Sequence, residues 1–196
     1  MVDSSSDPEN NSEPVRLLRT LDSVPGPAPI HLWNPPYCGE IDIRIARDGT
    51  WFHDGNPIRR IELVRLFSSV LRLEDDGRHY LVTPVEKLGI QVEDCPFVAQ
   101  LVERSGRDKE QSLDFVLNTG ERVAAGPEHK IQVSHGTAGA EPHPVVHVRN
   151  GLQALLSRNV FYELVDMAVE EKAAASGSEL VVWSHGARFV LGSLNN

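Results

Sequence analysis

The stretch CGEIDIRIARDGTWFHDGNPIRRIELVRLF (residues 38–67), continued by YLVTPVEKLGIQVEDCPF (80–97), decides how the rest of the chain is read. Ile41, Ile43 and Ile45 alternate with Asp42, Arg44 and Ala46. A period of two is that of a strand with one buried face. Asp48-Gly49 is a short hairpin signal, and Thr50 to His53 reads as the return strand. Asp54-Gly55-Asn56-Pro57 is a second turn, with Asn56 placed to cap a helix whose first residue is Pro57. Ile61, Val64, Phe67 and Leu71, flanked by Leu63, Leu66 and Val70, predict a helix over 58–73. Arg59, Arg60, Arg65 and Arg72 keep to the edges of its apolar face. Strands are expected at 80–83, 90–92 and 97–103.

Upstream, residues 1–14 are Ser, Asp, Asn, Glu and Pro around a single Val2, too polar to offset the entropy of ordering. Residues 15–24 carry the spacing of a short amphipathic helix. A proline-rich arm follows to residue 37, with Leu32, Trp33 and Tyr37 expected to drape over the core. Downstream, 104–111 reads as a charged loop, 113–118 and 122–125 as a hairpin, 131–133 as a strand and 136–144 as a loop. Val146-His147-Val148 then alternates, Asn150-Gly151 turns the chain, Leu152 to Leu156 follows, and Ser157 caps a helix containing Val160, Phe161, Leu164 and Val165. This echoes the opening stretch. Ile43–Ile45 aligns with Val146–Val148, Ile61–Val64 with Tyr162–Val165, and His79–Val82 with Glu179–Val182. The reading is an α+β fold from a duplicated strand–turn–strand–helix–strand unit. The alternative is one helix from Leu152 to Ala175. The expected divisions are a tail (1–14), a helix and arm (15–37), an N-terminal half (38–104) and a C-terminal half (105–196).

The chain has 196 residues and a formal net charge of −9, with a pI near 5.3. That balance argues against long nucleic acid and anionic membranes, which want a basic face, and leaves room for a local basic pocket. No apolar run approaches the roughly 20 residues of a membrane helix. The start carries no basic-then-apolar secretion pattern. Cys38 and Cys95 belong to no CxxC pair and fit reduced thiols in a cytoplasm.

The quoted stretch, together with VRNGLQALLSRNVFYELV (148–165) and VVWSHGARFVLG (181–192), closely resembles a bacterial family of unknown function, DUF1285. The resemblance implies two α+β domains built by duplication, the C-terminal one somewhat like a pleckstrin-homology barrel. It implies no established enzymatic activity. It points instead to ligand binding and signal transduction, with a nucleotide-like ligand between the halves.

Phosphate-loop, dinucleotide, zinc-protease and nucleophile-elbow patterns are all missing, and no cofactor is expected. His129, His135, His143 and His147 are the only hint of a metal. Residues four apart on a strand lie about 13 Å from each other, so they share no ion unless the chain folds back. Trp51 and His53 share one strand face. That face is either core or a platform on which Trp51 stacks a planar ligand and His53 bonds it. Arg59 and Arg60 near a helix start oppose the helix dipole, which suits either an exposed surface or an anion site. Arg149, Arg158 and Tyr162 hold comparable places in the echo. Lys87, near a strand end, joins them as a ligand-binding candidate. The expected partner is therefore a small, nucleotide-like anion. Two other readings stay open: an enzyme using Lys87, Glu86, Glu93 or His53, and an adaptor whose strand edges take a peptide.

Overall fold

The computed structural model describes residues 29–134, 141–172 and 177–194. The tail, the helix expected at 15–24 and His135 lie outside them. The chain divides into two compact units: residues up to Ile45 with Thr50–Val92, and Ala46–Gly49 with Glu93 onward. Both are mostly sheet, and the described residues contain two α-helices, α1 (Ile61–Ser69) and α2 (Arg158–Met167).

The first unit contains β1 (Tyr37–Ile45), β2 (Trp51–His53), β3 (Asn56–Pro57), α1, β4 (Leu71–Leu73), β5 (His79–Val82) and β6 (Lys87–Val92). Its sheet order is β3-β2-β1-β6-β5-β4. Two antiparallel meanders, β1–β3 and β4–β6, meet at a parallel β1–β6 pair. Ile41, Ile43 and Ile45 are buried, as their alternation predicts. Trp51 follows the turn and is 1% exposed. Its ring stacks on Phe67 of α1, with centroids 6.2 Å apart and planes 24° apart. At Gly89, opposite β1, a Cβ would stand 2.5 Å from the Glu40 carboxylate and push that side chain aside.

The helix over 58–73 is corrected at both ends. Asn56 and Pro57 pair with His53 and Phe52 as an edge strand instead of capping it. Proline suits an edge, where its missing N–H is not needed. At the other end Leu71–Leu73 pairs antiparallel with His79–Leu81. Leu71 is fully buried, so its place in the helical stripe was coincidental: burial in a strand gives the same residue type. Arg72 is no edge cation either. It donates to the carbonyls of Ile30 and Trp33, at 3.2 and 2.8 Å, and to Glu74. Those bonds and buried Ile30 hold the arm, whereas Leu32 and Tyr37 are exposed.

The second unit contains β7 (Phe97–Ser105), β8 (Ser112–Leu117), β9 (Arg122–Ala124), β10 (Ile131–Ser134), β11 (His143–Arg149) and β12 (Leu152–Leu156). After α2 come β13 (Val169–Lys172), β14 (Ser178–Ser184) and β15 (Ala187–Leu194). Residue 104, the expected boundary, lies inside β7. The larger sheet runs β10-β11-β12-β7-β8-β9, with a parallel β12–β7 pair between two antiparallel meanders. The strands after α2 form a separate antiparallel sheet. Residues 152–156 are a strand, not the start of a helix, and the Ser157 hydroxyl accepts the Val160 N–H at 3.4 Å to start α2.

Strands flank both helices in similar order, but β3 stands before α1 with no counterpart before α2, and sheet position does not follow the aligned order. Both six-stranded sheets join the first and last of six successive strands in parallel. That pattern equates β1 with β7, whereas the alignment read from the sequence equates β1 with β11.

Trp51→Ala should cost roughly 3–5 kcal/mol by chemical denaturation, the range for deleting a buried aromatic. Trp51→Phe should cost clearly less. It keeps a ring on Phe67 and removes an indole N–H that has no hydrogen-bond partner. Equal losses would show that the stack does not carry the stability.

Candidate functional site

Among the sequence candidates, Arg158 and Tyr162 come together. One helical turn apart on α2, they face the same side. The Arg158 Nε donates to the Tyr162 hydroxyl at 3.1 Å, and its guanidinium lies 5.6 Å from the ring centroid. They line a pocket of about 390 Å³ with Arg47, Glu141, Leu155 and Phe161. Arg47 stands at the β1–β2 turn, in a segment that packs with the second unit. Asn118 holds that segment by donating to the Gly49 carbonyl at 2.9 Å while accepting from Val98 N at 3.1 Å. Gly49 has φ +83°, and a Cβ there would stand 2.6 Å from the Asn118 side chain. The turn thus needs glycine for both conformation and space.

Arg47 is oriented by acids. Its backbone N–H donates to Glu93 at 3.1 Å, and its Nε lies 3.1 Å from Asp94 Oδ2. The other Asp94 oxygen, Oδ1, lies 2.7 Å from His143 Nε2 and 3.5 Å from the Cys95 sulfur. These three donor atoms all lie within 4.8 Å of one another. Cys95 is buried, and burial, followed by the adjacent Asp94 charge, pushes its thiol up to about 12. In that state it is no nucleophile.

A second pocket, of about 370 Å³, is lined by Arg104, Arg107, Lys109, Gln111, Glu171 and Trp183, among others. The Lys109 ammonium lies 4.7 Å from the Trp183 ring centroid. The Trp183 indole donates to Glu171 at 3.0 Å, and Gln111 donates to the Trp183 carbonyl at 2.8 Å.

The remaining candidates sit elsewhere. Trp51 is core, so a ligand ring has no access to it. His53 Nδ1 lies 3.4 Å from its neighbour Asp54. Arg59 and Arg60 are exposed, and Arg60 occupies the cap position of α1 with no side-chain capping bond. Lys87 pairs with Glu74 at 2.8 Å and lies 4.9 Å from the Tyr80 ring centroid. Arg149 donates to both oxygens of Glu121 at 2.6 Å and lies over Phe97. The enzyme candidates are dispersed as well, with Lys87 bound to Glu74 and Glu93 to the Arg47 backbone. The chain does fold back at His129 and His147, whose rings lie 6.1 Å apart. Their bonds run to backbone: His129 Nδ1 to the His147 carbonyl, His147 Nδ1 to the Glu128 carbonyl, and Gly151 N–H to His147 Nε2.

Arg47, Lys109 and Trp183 were not singled out from the sequence; His143 was, among the histidines, but not together with Asp94 and Cys95. Asp94 and His143 are 49 residues apart, and neither alternation nor any short motif links them. Cys95 beside Glu93-Asp94 was the only local signal.

Two family models match the chain. The N-terminal domain of the domain of unknown function DUF1285 matches residues 28–95, and the C-terminal domain of the protein of unknown function DUF1285 matches residues 96–191. A crystal structure of a DUF1285 family protein from Silicibacter pomeroyi DSS-3 is 48% identical. It covers 91% of this chain and 95% of that one, with a TM-score of 0.80. A second, from Shewanella baltica OS155, is 26% identical, covers 64% of this chain and 91% of that one, and has a TM-score of 0.50. No curated protein matches the chain.

Two measurements check the electrostatics described above. A thiol reagent should titrate one thiol in the native protein, exposed Cys38, and buried Cys95 only after denaturation. Cys38→Ser should leave no native reactivity; rapid reaction at Cys95 would contradict its burial. The Glu74 carboxyl is held below its ordinary 4.5 by the Lys87 hydrogen bond, with help from Arg72 and against partial burial. Its pKa is lower folded than unfolded, so its contribution is complete above about pH 4.5 and fades as pH falls through the folded value. The stability difference between wild type and Glu74→Gln should shrink as pH falls below 4.5. A difference that stays constant would mean that Glu74 acts by packing alone.

Proposed function

This chain belongs to the DUF1285 family, and we propose that it binds a small planar anion of nucleotide-like chemistry in the Arg47–Arg158–Tyr162 pocket of its second unit. The observation that carries the reading is the convergence of two guanidinium groups and two aromatic rings on one pocket of about 390 Å³. Guanidinium forks suit phosphate or carboxylate oxygens, and a half-exposed tyrosine offers a flat face for a base. Glu141 on the same wall limits how much negative charge the pocket takes. That favours a single small anion over a polyanion, in keeping with the acidic net charge.

The chemistry is binding rather than catalysis. Lys87 and Glu74 neutralise each other, and Cys95 is held as a thiol. A signalling role rests on the family resemblance. Duplication and a pleckstrin-homology-like second unit belong to the same proposal. They are supported by the repeated sheet order and by the two meanders that precede α2 directly. Two free cysteines suit a reducing cytoplasm. No helix among the described residues is long and apolar enough to cross a membrane.

Thermal shift with mono-, di- and cyclic nucleotides tests the pocket. A ligand at about 100 times its Kd adds roughly 2.7 kcal/mol. At about 2–4 °C per kcal/mol, melting rises by several degrees. The rise should vanish in Arg158→Ala and survive in Arg107→Ala. Loss in Arg107→Ala alone would move the ligand to the Trp183 pocket. No rise with any nucleotide overturns the reading.

A further inference from the structure

The trio beside Arg47 supports an inference independent of the anion pocket. Asp94 and Cys95 are adjacent in sequence and lead into β7, while His143 opens β11. Folding brings a carboxylate oxygen, a thiol sulfur and an imidazole nitrogen to within 4.8 Å of one another. We propose that Asp94, Cys95 and His143 bind one divalent transition-metal ion of the zinc class, with a fourth position open to solvent.

The donor set selects the ion. A thiolate, an imidazole and a carboxylate match zinc, which takes sulfur at about 2.3 Å and nitrogen or oxygen at about 2.0–2.2 Å. Calcium and magnesium want oxygen alone. Two donors on a tetrahedral ion with those bond lengths lie about 3.4–3.6 Å apart. Asp94 Oδ1 already stands 3.5 Å from Cys95 Sγ. The Asp94–His143 contact, 2.7 Å while a proton bridges it, opens by less than about 1 Å on that geometry. Metal binding moves the imidazole proton from Nε2 to Nδ1 through solvent, which frees Nε2 as a neutral donor, and the Cys95 thiol proton leaves to solvent. Arg47 stays on Asp94 Oδ2 at 3.1 Å, which leaves Oδ1 for the metal and fixes the carboxylate's orientation.

Access and retention divide among the ligands. Cys95 is 4% exposed, so a bound thiolate is protected from oxidants. The Asp94 and His143 side chains are 18% and 35% exposed and give the ion a way in. Three protein ligands with one open position are the pattern of zinc sites that hold water or a ligand, not of closed structural ones.

Cobalt(II), added to the reduced full chain, is the probe. It should produce a near-ultraviolet thiolate-to-cobalt charge-transfer band and visible d–d absorption, saturating at one ion per chain and bleached by zinc. Cys38→Ser should keep the band. Cys95→Ser should lose it, and His143→Gln should weaken cobalt binding by at least about tenfold. His143 is partly exposed, so its variant remains informative even where Cys95→Ser unfolds. Absence of the charge-transfer band in wild type overturns the proposal. So does an undiminished band in Cys95→Ser, a band lost with Cys38, or unchanged affinity in His143→Gln. Arg158→Ala should leave the cobalt spectrum intact, so failure of the anion pocket and failure of the metal site read out separately.

Discussion

Each six-stranded sheet depends on one parallel pair closing the first strand against the last, β1 with β6 and β7 with β12. Every other pairing in those sheets joins strands that are consecutive in sequence. The closing pair is the long-range event. It bears the loop-closure entropy of the intervening strands, and it is offset only once apolar surface is buried across the join. The strands at the join show this. Leu88, Gly89 and Ile90 of β6 are buried in succession, as are Phe97, Val98 and Ala99 of β7. A strand with neighbours on both sides and cover on both faces has no polar side to present. β8, away from the join, alternates cleanly instead.

The same constraint places the candidate chemistry. The chain enters β7 through Glu93, Asp94 and Cys95, so fixing β7 fixes these groups. His143 comes from β11, next to the β12 strand on which β7 closes. The pocket above draws Arg47 from a turn stapled by Asn118, and Arg158 and Tyr162 from a helix started by Ser157. No single element holds the site.

Charge is distributed by pairing. Arg72 and Lys87 share Glu74, Arg78 pairs with Glu40, Arg122 with Glu103, Arg149 with Glu121, and Arg188 with Glu171 and Glu179. Most of these sit at partly exposed surface, where each stabilises by at most about 1 kcal/mol. Their larger effect is to remove cations from the pool available to a ligand. The cations that line cavities are Arg47, itself paired with Asp94, and Arg158 in one pocket, and Arg104, Arg107 and Lys109 in the other. A chain of net charge −9 in this way holds pockets lined by several cations.

The sequence by itself determined what short-range physics controls. The Ile41–Ile45 alternation, the Asp48-Gly49 and Asn150-Gly151 turns and the Ser157 cap all stand where their residues place them, whereas residues 152–156 fitted strand or helix until pairing with β11 and β7 decided. Each of the former rests on backbone preference or on neighbours a few positions away. The pairing of Arg158 with Tyr162 was legible for the same reason, since helix pitch alone brings them together. Only the tertiary structure decided whether an apolar residue was buried from a helix or from a strand. Leu71 fits either, and pairing with Leu81 settled it. It also decided that Trp51 faces core rather than ligand, because Phe67 comes from another element. The alignment of the two halves read from the sequence does not match the shared sheet order for a related reason. Similar hairpins recur, but sheet position is set by which distant strand each one meets. Asp94, Cys95 and His143 had no common signal in the chain. Their proximity follows from β7 and β11 both flanking β12, a long-range hydrogen-bonding choice that no local spacing encodes.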